Sequence, residues 1–475
     1  MLTGQNGILN RAAEAKEKTE DKSDIEYLQM KAYDSITNYH IKGEKGSETE
    51  YVLEELGKID GVTTNVLQST VEYNGKIYDI SEIMGNTNEQ KAMEKENGLT
   101  QITAANVKKE DAENNAMLSE KDADGKKKIR MIIEENSNNK TIKAVIPAGF
   151  YYVTGKPSTG LVISDVYNDD DNNSKGGNQF VWVPCDGENL MYKRHIYNTK
   201  NINDEGKYIE DTGNNNWITY YYRNYDDWRD SDTESKSESV NKYKGFYVAR
   251  YEAGVPSNAP FYVDSAGSEY TKLEKDTAEY KPVSKKNAQS WNYIRQITAK
   301  TVSEKMYDEN SIKSYLIDGH DWDTIVEWME KDSEEIGKNS IKYGNYNNSE
   351  LKVINALYAK HISDNNKWIA ANSYQKGDII ATKYTELATG ATIAKDSING
   401  NKINNIYDMA GNVWEWTDEI GKHGQESSEK TFAVRRGGSF IDKGEVCPIS
   451  HRYGENTIGA FDFNIGFRVV LYITL

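Results

Sequence analysis

NIYDMAGNVWEWT, residues 405–417, is the stretch that decides the fold of this chain. Two tryptophans, Trp414 and Trp416, flank the carboxylate of Glu415 within it. An indole ring buries roughly 150 to 250 Å² and needs a hydrogen-bond partner for its N–H group. The stretch is therefore predicted to lie in a packed core.

Two further motifs follow it, RRGGSF at residues 435–440 and GFRVV at residues 466–470. The order G-N-x-W-E-W, R-G-G-S-aromatic and G-F-R resembles that of the formylglycine-generating enzyme family, the sulfatase-modifying factor domain. This resemblance implies an α+β domain of the C-type-lectin-like fold over residues 141–475. One fold hosts many functions, so the activity has to be argued from the site itself.

Length and charge set the first limits on function. The chain has 475 residues, a formal net charge of −17 and two cysteines, Cys185 and Cys447. Its length predicts two or three domains. Its acidity disfavours nucleic-acid binding, because a phosphate-binding surface needs clustered lysine and arginine. The cysteines allow at most one disulfide bridge, and whether they pair stays open at this point.

The first 84 residues predict a small unit of helix and β-hairpin. Ala, Glu and Lys dominate residues 8–38, with apolar residues at three- and four-residue steps, so a helix is expected there. A short helix is predicted over 48–57. Two alternating segments joined by Asn74 and Gly75 predict a hairpin, because this dipeptide favours the tight turn.

Residues 1–17 resemble the segment that follows the hydrophobic N-terminal helix in pilin-like proteins of Gram-positive bacteria. This resemblance implies an extracellular or cell-surface location, a pilus-like assembly, and a membrane helix that these 475 residues do not contain. No run of about 18 apolar residues occurs, so no segment is predicted to span a bilayer. A generic spacer is the alternative for residues 1–84.

Residues 85–140 are rich in charged and amide side chains, and we predict a polar linker with transient helix. Strands are predicted in the following domain at 179–184 and 245–252, separated by a long polar insertion over 187–243. A helix is predicted over 288–300. A second is predicted to open at residues 316–323 and to run through 328–331, because the apolar residues Trp322, Ile325, Val326 and Met329 share one helical face.

The resemblance implies oxidase chemistry that uses two cysteines, three and eight residues after the serine of R-G-G-S, which bind copper(I). Counted from Ser439, these positions are Asp442 and Cys447. A carboxylate is a hard ligand and cannot replace a thiolate in a linear copper(I) site. We therefore expect neither copper binding nor oxidase activity, and Cys447 is a catalytic candidate only if the oxidase alternative holds.

The resemblance also implies a calcium site on the tryptophan-rich stretch. Its ligands would be the side chains of Asp408 and Glu415 and the main-chain carbonyls of Gly411 and Val413. Such oxygens suit Ca²⁺, although four ligands fall short of the six to eight that it takes. The alternative is that Asp408 caps a turn and that Glu415 pairs with Arg435, Arg436 or Arg468.

We expect a non-catalytic binding or adhesion module whose unknown ligand is a protein or a glycan. The same fold displays ligand-binding residues between R-G-G-S and G-F-R in other proteins. Polar and aromatic side chains on a rigid frame bind at low entropic cost. The candidate residues here are His451, Arg452, Tyr453, Glu455, Asn456 and Phe461. The alternatives are a sulfatase-modifying oxidase that converts a client cysteine to formylglycine, and a structural minor pilin.

Overall fold

The computed structural model of the protein describes residues 24, 27–28, 31–32, 35, 38–39, 48–66, 70–83, 98–102, 112–137, 140–187, 190–194, 229–230, 233–262, 275–333, 335–349, 352–361, 368–370, 384–395, 398–423, 430–455 and 461–475. Most of the helix predicted over 8–38 and of the insertion predicted over 187–243 lies outside them. The chain divides into two units, one of residues 1–121, 125–133 and 146–151 and one of residues 122–124, 134–145 and 152–475.

The described residues form a mixed α/β architecture of few helices and small sheets. The helices are α1 Glu48–Leu56, α2 Ile80–Ile83, α3 Ala112–Ser119, α4 Thr233–Tyr243, α5 Gln296–Met306 and α6 Gly319–Glu330. The strands are β1 Val62–Asn65, β2 Thr70–Tyr73, β3 Lys76–Asp79, β4 Leu99–Ile102, β5 Ile129–Ser137, β6 Lys140–Pro147, β7 Tyr151–Thr154, β8 Val162–Ser164, β9 Gln179–Pro184, β10 Arg229–Asp230, β11 Gly245–Ala249, β12 Ile312–Leu316, β13 Lys352–Asn355, β14 Tyr358–His361, β15 Ile369–Ala370, β16 Thr385–Leu387, β17 Thr392–Lys395, β18 Ile398–Asn399, β19 Lys402–Ile403, β20 Ile406–Tyr407, β21 Trp414–His423, β22 Lys430–Arg436, β23 Arg452–Glu455, β24 Ile465–Phe467 and β25 Val469–Ile473. Among the described residues, no helix combines the length and the apolar character that crossing a bilayer requires.

The hairpin predicted in the first unit is confirmed. Strands β2 and β3 pair antiparallel, with Tyr73 opposite Lys76. Asn74 and Gly75 between them have φ angles of 52° and 76°. Two consecutive positive φ angles define the turn that matches the twist of paired strands, which is why this dipeptide favours it. The predicted helix over 48–57 is α1, and the pilin-like identity of the unit stays a prediction.

The segment predicted as a polar linker contains more regular structure than the sequence indicated. Strands β4 and β5 and helix α3 all lie within residues 85–140. Several apolar residues in the described part of this segment are buried, including Leu99, Met117 and Ile132. The average composition of the segment is polar and does not reveal them, because they are concentrated in short strands and one helix.

In the second unit, a six-stranded sheet runs in the order β12-β25-β11-β9-β8-β7, and β21 and β22 belong to a separate sheet. Strands β9 and β11 are adjacent and antiparallel, and they confirm the strands predicted at 179–184 and 245–252. Residues from β8, β9, β11 and α6 share one apolar core. Within it, the indole N–H of Trp322 donates to the Ile449 carbonyl at 2.8 Å.

The helix predicted over 288–300 begins later than expected, because α5 starts at Gln296. Its predicted first residues are irregular instead, and Tyr293 among them has a φ of 57°. Trp291 N donates to the Ala253 carbonyl at 2.8 Å, and Ser290 bridges Gly254. The main-chain groups of this segment therefore form hydrogen bonds with a distant part of the chain and not within a helix. Helix propensity does not reveal such tertiary contacts.

The side chain of Asp318 caps the start of helix α6 and also forms a buried ion pair. The Asp318 carboxylate accepts hydrogen bonds from the main-chain N–H groups of His320 at 2.9 Å and Asp321 at 3.0 Å. Its other oxygen lies 2.7 Å from Nζ of Lys236, and both side chains are buried. Burial acts to lower the pKa of Lys236, but the Asp318 charge holds it above the usual lysine value, so the buried group stays an ammonium ion. One carboxylate thus satisfies the helix start and a buried ammonium group.

Replacing Asp318 with alanine is expected to lower the free energy of unfolding by about 3–5 kcal/mol, because it leaves the Lys236 charge buried and unpaired. Asp308→Ala is the matched control, since Asp308 is exposed and lies 4.0 Å from Lys313. That variant should change stability by about 1 kcal/mol or less. Urea unfolding of the two variants measures the difference, and equal losses would contradict the role given to Asp318.

Candidate functional site

The three sequence motifs lie side by side in one sheet. Glu415 of β21 is opposite Arg436 in the antiparallel pair with β22, and opposite Gly466 in the parallel pair with β24. The main-chain N–H of Gly411 donates to the Gly437 carbonyl at 2.9 Å. Gly411 has a φ of +74°, and a Cβ atom there would lie 2.6 Å from the Asn345 carbonyl oxygen. The motif glycines are therefore needed for close approach of main chains.

Four side chains at this junction form what we call the aromatic face: Trp414, Arg435, His451 and Tyr453. The Arg435 guanidinium lies 5.0 Å from the Trp414 ring centroid and 4.4 Å from that of Tyr453. The His451 ring centroid lies 5.8 Å from that of Trp414. Trp414 is buried and the other three residues are half-buried. Cation–π contacts of this kind hold a guanidinium group and aromatic rings in a fixed arrangement.

Alternation along β22 separates the two arginines of the RRGGSF motif. Arg436 is fully buried, whereas Arg435 is half-buried in the aromatic face. Successive side chains of a strand point to opposite sides, so adjacent arginines reach different environments.

A buried ion network lies on the side that Arg436 occupies. The network consists of Arg194, Arg436, Arg452, Asp323 and Glu419. Arg436 lies 2.8 Å from Glu419 and 2.6 Å from Asp323. Arg452 contacts the same two carboxylates, and Arg194 lies 2.9 Å from Glu419. Burial acts to raise the pKa of Glu419, but the three arginines hold it well below its usual range.

Asp442 stands where the resemblance places the first thiol. One of its carboxylate oxygens accepts hydrogen bonds from the Ser439 main-chain N–H at 3.0 Å and from Ser439 Oγ at 2.6 Å. Burial raises the pKa of Asp442, while the Ser439 hydroxyl and the Arg435 charge oppose the rise. The Asp442 carboxylate therefore closes a turn with Ser439. Positions 442 and 447 together carry one thiol in place of the two that the resemblance implies.

Cys447 is half-buried and Cys185 is buried, and both thiols are free. Burial, with a further contribution from the Asp442 charge, raises the pKa of Cys447 far above its usual value. A thiol is a nucleophile and metal ligand in its deprotonated form, so the raised pKa of Cys447 disfavours its reactive form at neutral pH. Cys185 lies at the end of β9 in the apolar core, and the bridge left open by the sequence is not formed.

The residues expected to bind calcium do not fit a cation site in this arrangement. Both carboxylate oxygens of Glu415 accept hydrogen bonds from Arg468, whose Nη2 lies 2.6 Å away. Asp408 accepts hydrogen bonds from Asn401 Nδ2 at 2.7 Å and from the Gly390 main-chain N–H at 3.2 Å. The Arg468 guanidinium group, in contact with the Glu415 carboxylate, would repel a Ca²⁺ ion bound to the same oxygens. Among the described residues, no group of three or more His, Cys, Asp or Glu side chains is arranged to hold a metal ion.

The predicted ligand-binding residues divide between several environments. His451 and Tyr453 belong to the aromatic face, whereas Arg452 is 8% exposed and belongs to the ion network. Phe461 is half-buried. Glu455 ends β23, and Asn456 lies outside the described residues. Sequence reasoning missed Trp414 and Arg435, although alternation along β22 offered a signal for Arg435.

Comparison with known proteins agrees with the motifs. Residues 247–473 match the family of sulfatase-modifying factor enzyme 1-like domains. This part of the chain belongs to that family. No curated protein matches the chain. The solved structure of Treponema denticola variable protein 1 is similar at 14% sequence identity, covering 71% of this chain and 98% of that one, with a TM-score of 0.17.

The sulfatase-modifying factor domain is expected to lose stability in acid partly through His451. Burial and the nearby arginines, Arg436 first, lower the pKa of His451 from 6.5 to about 4. An unfolded chain binds this proton near pH 6.5 and the folded chain binds it near pH 4, so stability present above pH 6.5 falls as the pH drops. His451→Asn should therefore reduce the difference between the free energies of unfolding at pH 7 and pH 4.5, measured by urea unfolding, by an amount on the order of 1 kcal/mol.

His361→Asn, which removes a histidine of β14, is the control for this measurement. An unchanged pH dependence in His451→Asn, or the same change in His361→Asn, would contradict the assignment.

Proposed function

We propose that the sulfatase-modifying factor domain is a non-catalytic, ligand-binding module of the C-type-lectin-like fold. The observation that carries this proposal is Asp442, which occupies the position of the first thiol and is bonded to Ser439. Oxidation by the family chemistry needs two soft thiolates, and a hard carboxylate oxygen does not replace one of them. Burial and the Asp442 charge raise the pKa of the remaining thiol, that of Cys447, which disfavours its thiolate form.

The aromatic face is the proposed binding surface. Its rings and guanidinium group are packed against each other, with Arg435 lying 4.4 Å from the Tyr453 ring centroid. Side chains that are already ordered lose little conformational entropy when a ligand binds. Aromatic and arginine residues dominate binding energy at protein interfaces, and stacking on aromatic rings also suits sugars. The proposed ligand is therefore a protein or a glycan.

The first 84 residues are proposed to be a pilin-like stem, which would place the module at the cell surface or outside the cell. The support is the resemblance of residues 1–17 and the helix and hairpin that follow. A pilus-like assembly follows from the same resemblance. Calcium has no part in the proposal, because Arg468 engages the Glu415 carboxylate.

Tyr453→Ala and His451→Ala are expected to abolish ligand binding by the full chain on protein and glycan arrays, because they remove two rings of the aromatic face. The matched control is Tyr384→Ala, since Tyr384 is 42% exposed and lies outside that face. It should bind as the unchanged protein does. Equal loss in all three variants would point away from this surface, and silence of the unchanged protein across both arrays would favour a structural pilin role.

The oxidase alternative rests on family membership and on Cys447. Incubation of the full chain with copper(I) and a cysteine-containing sulfatase peptide should yield no aldehyde, because only one thiolate position is filled. Detection of the aldehyde in the peptide by mass spectrometry measures this. Aldehyde formation that disappears in Cys447→Ser would overturn the non-catalytic proposal.

A further inference from the structure

A second polar cluster lies apart from the aromatic face and consists of Lys275, Asn292, Glu386 and Lys360. Nζ of Lys275 lies 3.2 Å from Oδ1 of Asn292. Nδ2 of Asn292 lies 3.2 and 3.1 Å from the two carboxylate oxygens of Glu386. Lys360 forms an ion pair with that carboxylate. An amine, a primary amide and a carboxyl group are thus in contact in one place.

The cluster is shielded from water. Asn292 and Glu386 are 0% exposed and Lys360 is 2% exposed, while Lys275 is half-buried. The Lys275 ammonium group lies 5.4 Å from the Tyr293 ring centroid. The Trp291 indole N–H donates to the Lys275 carbonyl at 2.9 Å. Aromatic residues on both sides of Asn292 therefore hold the lysine main chain and side chain in place.

The protonation states differ from those of exposed groups. Burial, with the charge of Lys360, lowers the pKa of Lys275 to about 7, so a large share of the amine is neutral near neutral pH. Burial raises the pKa of Glu386, although the two lysines oppose the rise. A desolvated lysine beside a second cation is an activated nucleophile, and a buried carboxyl group beside it can move a proton.

We propose that Lys275 and Asn292 become joined by an intramolecular isopeptide bond, formed with the help of Glu386 and with release of ammonia. The proposal does not depend on the ligand or on the location of the protein.

Atoms and electrons balance without a further reactant. The lone pair of the neutral Lys275 Nζ forms a bond to Cγ of Asn292. Glu386 takes a proton from the attacking nitrogen and delivers it to Nδ2 of Asn292, with which it is in contact. The bond between Cγ and Nδ2 then breaks, ammonia leaves, and a secondary amide remains. Nothing is oxidised or reduced, and the carboxyl group is regenerated.

The geometry favours Lys275 over Lys360 as the nucleophile. Lys360 faces the carboxylate of Glu386 and lies 5.0 Å from the Trp368 ring centroid. Lys275 instead contacts the amide. Nδ2 of Asn292 also donates to the Phe463 carbonyl, which keeps this nitrogen on the side away from Lys275. The amide therefore presents its carbonyl group to Lys275 and its leaving nitrogen to Glu386.

The bond would close a short loop between Lys275 and the residues that precede α5. This loop contains Val283, whose main chain pairs with Gly254, and Ser290, which bridges the same glycine. A covalent link across a loop restricts the unfolded chain more than the folded one, as a disulfide does. In a protein with no disulfide between its two cysteines, an amide link offers a constraint that reducing conditions do not open.

Intact-mass measurement of the purified full chain tests the proposal. The unchanged protein should be lighter than its sequence by the mass of one ammonia. Tryptic digestion should give a branched peptide that carries Lys275 and Asn292, identified by fragmentation. Lys275→Arg, Asn292→Ala and Glu386→Ala should each show the full mass calculated from their sequences. Lys313→Arg, which changes an exposed lysine of β12, is the matched control and should keep the branched peptide.

Circular dichroism of each variant separates loss of the bond from loss of the fold. Each of the three variants should keep the spectrum of the unchanged protein and still lack the branched peptide. A linear peptide that has lost ammonia at asparagine alone would indicate a succinimide and would overturn the proposal. So would a full mass for the folded, unchanged protein, or a branched peptide that persists in Lys275→Arg.

Discussion

The ion pair of Arg468 and Glu415 is the constraint on which the second unit depends. Arg468 donates to both oxygens of Glu415, to the Ala249 carbonyl at 3.0 Å and to the Tyr407 carbonyl at 2.9 Å. One guanidinium group thus joins residues of β11, β20 and β21. Because the pair is fully buried, loss of either partner would leave a desolvated charge. The motifs W-E-W and G-F-R therefore belong together physically, as the two halves of one contact.

The aromatic face gains its rigidity from the ion network behind it. Arg436 and Arg452 share the carboxylates of Asp323 and Glu419, and these residues come from α6, β21, β22 and β23. Arg435 precedes Arg436 and Tyr453 follows Arg452. The network that holds strands β22 and β23 in place therefore also positions these two residues of the aromatic face. The network pairs three arginines with two carboxylates, and buried ion pairs of this kind favour one arrangement at the cost of desolvation. We interpret it as the support for a surface that has to keep its shape.

The sequence predicted the elements whose signal is local. Asn74 and Gly75 encode their turn by themselves, and Trp322, Ile325, Val326 and Met329 define the buried side of α6 by spacing. It predicted a helix at residues 288–295, where tertiary pairing holds the chain in an irregular segment. It also missed strand β5, whose buried apolar residues lie in a segment of polar average composition. The aromatic face was found in part. His451 and Tyr453 follow from their position between two motifs. Arg452 looks equivalent in sequence but belongs to the ion network, because successive side chains of β23 point to opposite sides.

The carboxylate of Asp442 affects more than the metal preference of the position where the resemblance implies a thiol. Ser439 Oγ donates to Asp442 and accepts a hydrogen bond from Asn464 Nδ2 at 3.1 Å, so the RRGGSF loop, Asp442 and the chain before β24 form one hydrogen-bonded series. A thiol donates and accepts weakly and would not hold these groups as firmly. In a reactive site, such a contact would compete with the metal or the client for the same atom. In a binding site, it anchors the loop that precedes His451 and Tyr453, so the carboxylate that disfavours copper(I) would also support the frame of the aromatic face.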